Sequence, residues 1–163
     1  MSGKNTITRS VAPKSVFPSA QAVISSAVSL NQGDLIVFND TTNLLALAAA
    51  ETDGATFLGV MAETIVSGKL ARPYSTDVDA SQAISDIPGP VYGVVAKCVS
   101  KTGITWAPGD RAYLDPATGS RGVTNTGTKV VGVYQGAALT TAPAGTEIEV
   151  LIGARFADDT LKF

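Results

Sequence analysis

Val91-Tyr92-Gly93-Val94-Val95-Ala96-Lys97-Cys98-Val99-Ser100 is the stretch that decides the fold. Val91, Val94, Val95 and Val99 are β-branched, and such side chains pack well on a pleated, half-buried surface. Cys98 among them reads as a small buried hydrophobe. This is the strongest strand signal in the chain, and both flanks supply candidate partners.

Downstream, Trp106-Ala107-Pro108-Gly109-Asp110 is a turn, Ala112-Tyr113-Leu114 a strand, and Asp115-Pro116-Ala117-Thr118-Gly119 a second turn of expected composition. Lys129–Tyr134 and Glu147–Ile152 complete the set. Glu147 and Glu149 alternate with Ile148 and Val150, which predicts one wet and one buried face. Upstream, Ala22–Leu30 holds β-branched and small residues. Asn31-Gln32-Gly33-Asp34 is a turn, because Gly supplies positive φ while Asn and Asp bond nearby backbone. Leu35–Phe38 is a short buried strand, Asn39–Asn43 a turn, and Leu44–Ala48 its hairpin partner. Glu51–Gly54 turns again, Phe57–Met61 is a strand, and Glu63–Ala71 has room for one more. The predicted class is all-β, with one β domain over residues 23–156 and a C-terminal tail at 157–163.

The order Gly-Asp, four-residue strand, polar turn, Gly-Val strand occurs twice. It runs from Gly33-Asp34 to Gly59-Val60 and again from Gly109-Asp110 to Gly132-Val133. A duplicated β unit and a chance match in a chain with 16 glycines both remain open at this level.

Two segments depart from this pattern. Residues 1–22 form an extended N-terminal arm with two prolines, four serines, three positive charges and no acid. They lack hydrophobic periodicity, so the arm is expected to gain little from its own domain and more from a groove on a partner. A free tail is the competing reading. Pro13 and Pro18 break any amphipathic targeting helix, and no apolar core of a secretory signal is present. Arg72–Pro90 has three prolines and three aspartates and reads as a long loop, either a plain exposed insertion or a segment reaching a neighbouring subunit.

Composition narrows the function classes. The chain has 163 residues, 45% hydrophobic and 16% charged, with a net charge of −2. That suits one globular domain and offers no field for nucleic acid. The longest aliphatic run, Leu44–Ala50, is far short of a membrane span. Histidine is absent, which removes the commonest general base and metal ligand. With one cysteine there is no internal disulfide.

Candidate chemistry is thin. Ser67-Gly68-Lys69 lacks the earlier Gly and following Ser or Thr of a phosphate loop, since Glu63 and Leu70 stand there. Asp77-Val78-Asp79 opens like a calcium loop, but Gln82 and Pro88 occupy its sixth and twelfth positions. The carboxylate pairs Asp77 with Asp79, Glu147 with Glu149 and Asp158 with Asp159 read as solvated charge rather than a glycosidase pair. Asn39-Asp40-Thr41 matches a glycosylation acceptor but serves as a turn. The expectation is a non-enzymatic protein with no catalytic residue, metal or cofactor.

The stretch Leu35–Met61, with its Asp-Thr-Thr turn and its Thr52-Asp53-Gly54-Ala55 lead into Gly59-Val60-Met61, resembles the lambda-type head decoration proteins of tailed phages. The second half is similar to the related capsid-cement family, through Trp106-Ala107-Pro108-Gly109-Asp110, Ala112-Tyr113-Leu114-Asp115, Ala117-Thr118-Gly119 and Val131-Gly132-Val133. The resemblance covers most of residues 31–153, not the arm or the 72–90 loop. It implies a small β-barrel-like fold, a β-tulip, and a homo-oligomer, with a trimer favoured. It implies binding to the major capsid protein on the outer surface of the expanded head, by a protein made in the host cytoplasm. It also implies a capsid-binding arm, carried here by Lys4, Arg9, Val11, Lys14, Val16 and Phe17. Arg72, Tyr74, Asp77 and Asp79 are the matching candidates for an inter-subunit loop. No nucleic-acid or membrane partner is expected. The alternatives are a carbohydrate-binding β module, for which Trp106, Tyr74, Tyr92, Tyr113 and Tyr134 are rather scattered, and a tail or fibre β-barrel component.

Overall fold

The computed structural model describes residues 7–15, 29–39, 41–42, 44–65, 90–155 and 161–163. Its strands are β1 (Ile7–Ser15), β2 (Leu35–Asn39), β3 (Leu44–Leu47), β4 (Phe57–Met61), β5 (Pro90–Ser100), β6 (Arg111–Leu114), β7 (Gly122–Thr124), β8 (Val130–Tyr134), β9 (Glu147–Ile152), β10 (Ala154–Arg155) and β11 (Leu161–Lys162). The only helical elements among the described residues are short 3-10 turns at Glu51–Thr56 and Pro116–Thr118. Strands β5, β7, β6, β8 and β9 pair in that order, and β9 pairs back onto β5, so five strands close a small barrel. The β5–β7 contact is parallel, and the other barrel pairings are antiparallel. Strands β4, β2 and β3 extend the sheet from the first residues of β5.

β5 is the spine. Along one edge it pairs first with β4, at Val91 and Pro90, and then with β9 from Val94 to Val99. Gly93, with φ +73°, stands at the change of partner. Along its other edge it meets β1 and then β7. The β-branched run thus has strands on both sides, and Val94, Ala96 and Cys98 face the barrel core. The core also holds Trp106, Leu114, Val123, Tyr134, Ile148, Val150 and Ile152. Ile148, Val150 and Ile152 are buried while Glu147, Glu149 and Leu151 are half-buried, which is the alternation expected of β9.

The Gly-Asp echo is a structural repeat. In the first unit Asn31 N–H donates to Asp34 Oδ2 at 2.7 Å, and Asp34 N–H donates to the Asn31 carbonyl at 3.0 Å. In the second, Ala107 N–H donates to Asp110 Oδ2 at 2.7 Å, and Asp110 N–H donates to the Ala107 carbonyl at 3.0 Å. Gly33 and Gly109 both have φ +89°, a conformation that side chains with Cβ rarely adopt. Each turn then ties to the end of a later strand: Gly33 and Asp34 to Met61, Gly109 and Asp110 to Tyr134. The register agrees as well. Leu35 opposes Val60 and Ile36 opposes Gly59, as Arg111 opposes Val133 and Ala112 opposes Gly132, and each pair is followed by a bulge at the next residue. Before the turns, isolated bridges join Leu30 to Ile65 and Trp106 to Leu139.

The repeat extends to the cores. Leu30, Ile36, Leu45, Leu58, Met61 and Ile65 form a separate buried cluster. By register their counterparts are Trp106, Ala112, Val123, Val131, Tyr134 and Leu139, all in or against the barrel core. Where the first unit has Leu30 and Ile36, the second has the larger Trp106 and the smaller Ala112, an exchange that keeps total core volume similar. The units meet through Leu35 N–H donating to the Ser120 carbonyl and Thr128 N–H donating to Glu51 Oε1.

Several sequence expectations need correction. Residues 7–15 of the arm do pack on their own domain, because β1 pairs with β5 from Ile7↔Ala96 to Ser15↔Val91. Strand pairing satisfies backbone groups and needs no hydrophobic periodicity. Glu51–Gly54 turns as expected, but as the start of a 3-10 element that runs on to Thr56, with Asp53 Oδ2 accepting the N–H groups of Ala49 and Ala50. Pro90, assigned to the loop, opens β5. β7 and the β10–β11 pair were not foreseen, since strands of two or three residues are too short to show periodicity.

Candidate functional site

Two kinds of feature could carry function: sheet edges that could accept a strand, and a shallow cavity. Along the sheet, β3 pairs with β2 on one side, and no strand among the described residues pairs with its other side. Its sequence, Leu44-Leu45-Ala46-Leu47, holds no charge and no proline. Such residues are the usual protection of an exposed edge. The second edge is β1, which pairs only with β5 among the described strands and whose register is interrupted twice.

A cavity of about 330 Å³ lies between the β2–β3 hairpin and the 3-10 turn at Glu51–Thr56. Phe38, Asn39, Thr41, Thr52, Asp53 and Thr56 line part of it. Its rim is fixed locally: Asn39 Oδ1 accepts the N–H groups of both Thr41 and Thr42, and Thr56 Oγ1 donates to the Asp53 carbonyl. Asn39 therefore acts as a turn residue, as expected.

The barrel interior is built for packing. Cys98 is fully buried, and burial pushes its thiol up to about 12, with only a partial opposing pull from Arg121. A thiol held neutral in this way is neither a nucleophile nor a metal ligand near neutral pH. Trp106 is fully buried, donates from Nε1 to Ser100 Oγ at 2.8 Å, and stacks obliquely on Tyr134 with ring centroids 5.3 Å apart. Tyr134 in turn donates to the Ala137 carbonyl at 2.6 Å. Neither ring is free to stack on a sugar. Tyr92 and Tyr113 are half-buried.

Of the carboxylate pairs, only Glu147 and Glu149 lie in described residues. Glu147 pairs with Arg121 at 3.4 Å, each side chain about a quarter exposed. Arg121 also donates to the Lys97 carbonyl, so the ion pair lies across the β5–β9 closure. Among the described residues no group of three acidic or cysteine side chains is placed to hold a metal ion. No helix among them is long and apolar enough to cross a membrane.

Of the arm residues, Arg9, Val11 and Lys14 lie in β1. Lys4, Val16 and Phe17 fall outside the described residues, as do Arg72, Tyr74, Asp77 and Asp79 of the middle loop and the pairs Asp77 with Asp79 and Asp158 with Asp159. The sequence reading missed the β3 edge as a candidate surface, although a strand of four apolar residues with no charge was a visible signal. Comparison with protein-family models found no match, and none was found among curated proteins.

Proposed function

We propose that this chain is a non-enzymatic structural protein of a tailed-phage virion that binds the outer surface of the expanded head and cements it. The observation that carries the reading is the arm. Ile7–Ser15 is an extended strand that pairs with β5 alone among the described strands, and its sequence carries Arg9 and Lys14 with no acid. Lys4, Val11, Val16 and Phe17 add basic and apolar residue types that suit contact with the major capsid protein. The barrel supports the same reading, because its buried aromatics and neutral thiol pack a stable body rather than a reaction centre. Cementing follows from linkage: a protein that binds only the expanded lattice stabilises that lattice by mass action. Many copies with modest contacts then resist internal pressure.

The test is stoichiometry in purified virions, by gel densitometry against the major capsid protein. Near-equal copy number supports head decoration. A few copies per particle would move the chain to the tail or fibre. Complete absence from virions would overturn the reading.

A second reading, a carbohydrate-binding module, is favoured by the cavity beside the β2–β3 hairpin. There the hydroxyls of Thr41, Thr52 and Thr56 stand with Phe38 and Asp53. Binding on a glycan array, lost on Asp53→Ala, would select it.

A further inference from the structure

The repeat shows what the β3 edge lacks. Its counterpart by register is β7: Phe38 opposes Leu45 as Leu114 opposes Val123. In the second unit β7 is covered by β5, running parallel through Val99↔Gly122 and Ser100↔Val123. That added strand closes the barrel. In the first unit β3 ends the sheet, with no covering strand among the described residues. An apolar edge without charge or proline is a ready template for strand addition.

We infer that the β3 edge accepts β1 of a second copy of this chain, running parallel to β3 as β5 runs to β7. Three observations select this occupant. First, β1 and β3 are the two strands of the large sheet with only one strand neighbour among the described residues, so each copy carries one donor edge and one acceptor edge. Second, the charges suit each other. β1 carries Arg9 and Lys14, while the 3-10 turn just beyond β3 carries Glu51 and Asp53 in its first turn. Third, β1 has nine residues against the four of β3, enough to span the acceptor. Pairing one edge with a different edge is a heterologous contact, which forms a ring where the rotation closes. Strand pairing of this kind is made by backbone groups.

Complementary defects test this by sedimentation. Leu47→Pro removes an N–H from the acceptor edge, and Leu47→Lys blocks that edge by charge if the proline variant loses its far-UV circular dichroism. Deletion of residues 2–15 removes the donor. The wild type is expected to sediment as an oligomer and each variant as a monomer. An equimolar mixture of the two defective chains is expected to give a dimer, because only one donor and one acceptor remain to match. A monomeric wild type would overturn the inference. So would an oligomeric deletion variant, which would point to pairing of β3 with β3, or a mixture that stays monomeric. The measurement uses the isolated chain, so its failure leaves the capsid reading standing, and the reverse holds too.

Discussion

The two repeat units of this chain share a turn, a register, a bulge and six equivalent core positions, yet among the described residues only the second closes into a barrel. The difference lies in the strands around them. The second unit is enclosed by β9, paired with β8 at three positions, and by the whole second half of β5. Among the described residues the first has only the opening residues of β5, paired with β4 at Val60↔Val91 and Met61↔Pro90. Consequently the outward faces differ. Leu35, Val37, Phe57 and Val60 of the first unit are buried in the same cluster as the barrel core. Their counterparts differ: Arg111 is exposed, while Tyr113, Val130 and Val133 are half-buried. The same local chemistry thus builds a closed body once and a docked flap once. An internal repeat fixes local pairing but not what completes each copy.

The largest expected effect separates the two cores. Trp106→Ala removes the largest fully buried side chain and leaves the Ser100 hydroxyl without its donor, which should cost about 3–5 kcal/mol in urea unfolding. Leu30→Ala, at the equivalent position, should cost about 2–5 kcal/mol and less than Trp106→Ala in the same experiment. Both should shift one cooperative transition, because the units share β5. Two separate transitions would break the comparison.

A second pair of substitutions probes what the units have in common. A Cβ at Gly59 would collide with the Val91 carbonyl, and one at Gly132 with the Leu151 carbonyl. Gly59→Ala and Gly132→Ala should each cost about 1–3 kcal/mol by overpacking, with Gly59 the worse because its φ of +135° is also unfavourable for alanine. An unchanged thermal midpoint on alanine substitution at one site only would argue against equivalent packing.

The turns should behave alike. Asp34→Ala and Asp110→Ala each remove a carboxylate that accepts a backbone N–H at 2.7 Å, and each should cost about 1–2 kcal/mol. The loss should be larger at Asp34, which is only 3% exposed. The smallest effect concerns closure, which only the second unit has. Glu147→Gln breaks the partly exposed pair with Arg121 and should cost at most about 1 kcal/mol, less at high salt. A larger, salt-independent loss would make that ion pair a requirement of closure.

Much of this was legible in the chain. The Gly-Asp turns, the β-branched run at Val91–Ser100 and the alternation in Glu147–Ile152 depend on backbone preference and period-two burial, which act over a few residues. The repeat was visible as an order of motifs, but Gly-Asp and Gly-Val are common, and only the matching hydrogen bonds and bulges separate duplication from coincidence. The candidate site was less legible. Charge and proline content marked the arm, but that β1 pairs with the chain's own β5 depends on a partner about 80 residues away in sequence.

By itself, then, the sequence determined an all-β chain of short strands, the places where it turns, and the residue types that exclude histidine-based chemistry. Tertiary structure alone decided that β5 pairs in parallel with three-residue β7, that β9 returns to close the barrel, and that β3 ends the sheet among the described strands. The reason is physical. Turns and alternation are local, whereas strand partnership is set by which distant edges meet while their apolar faces share one core.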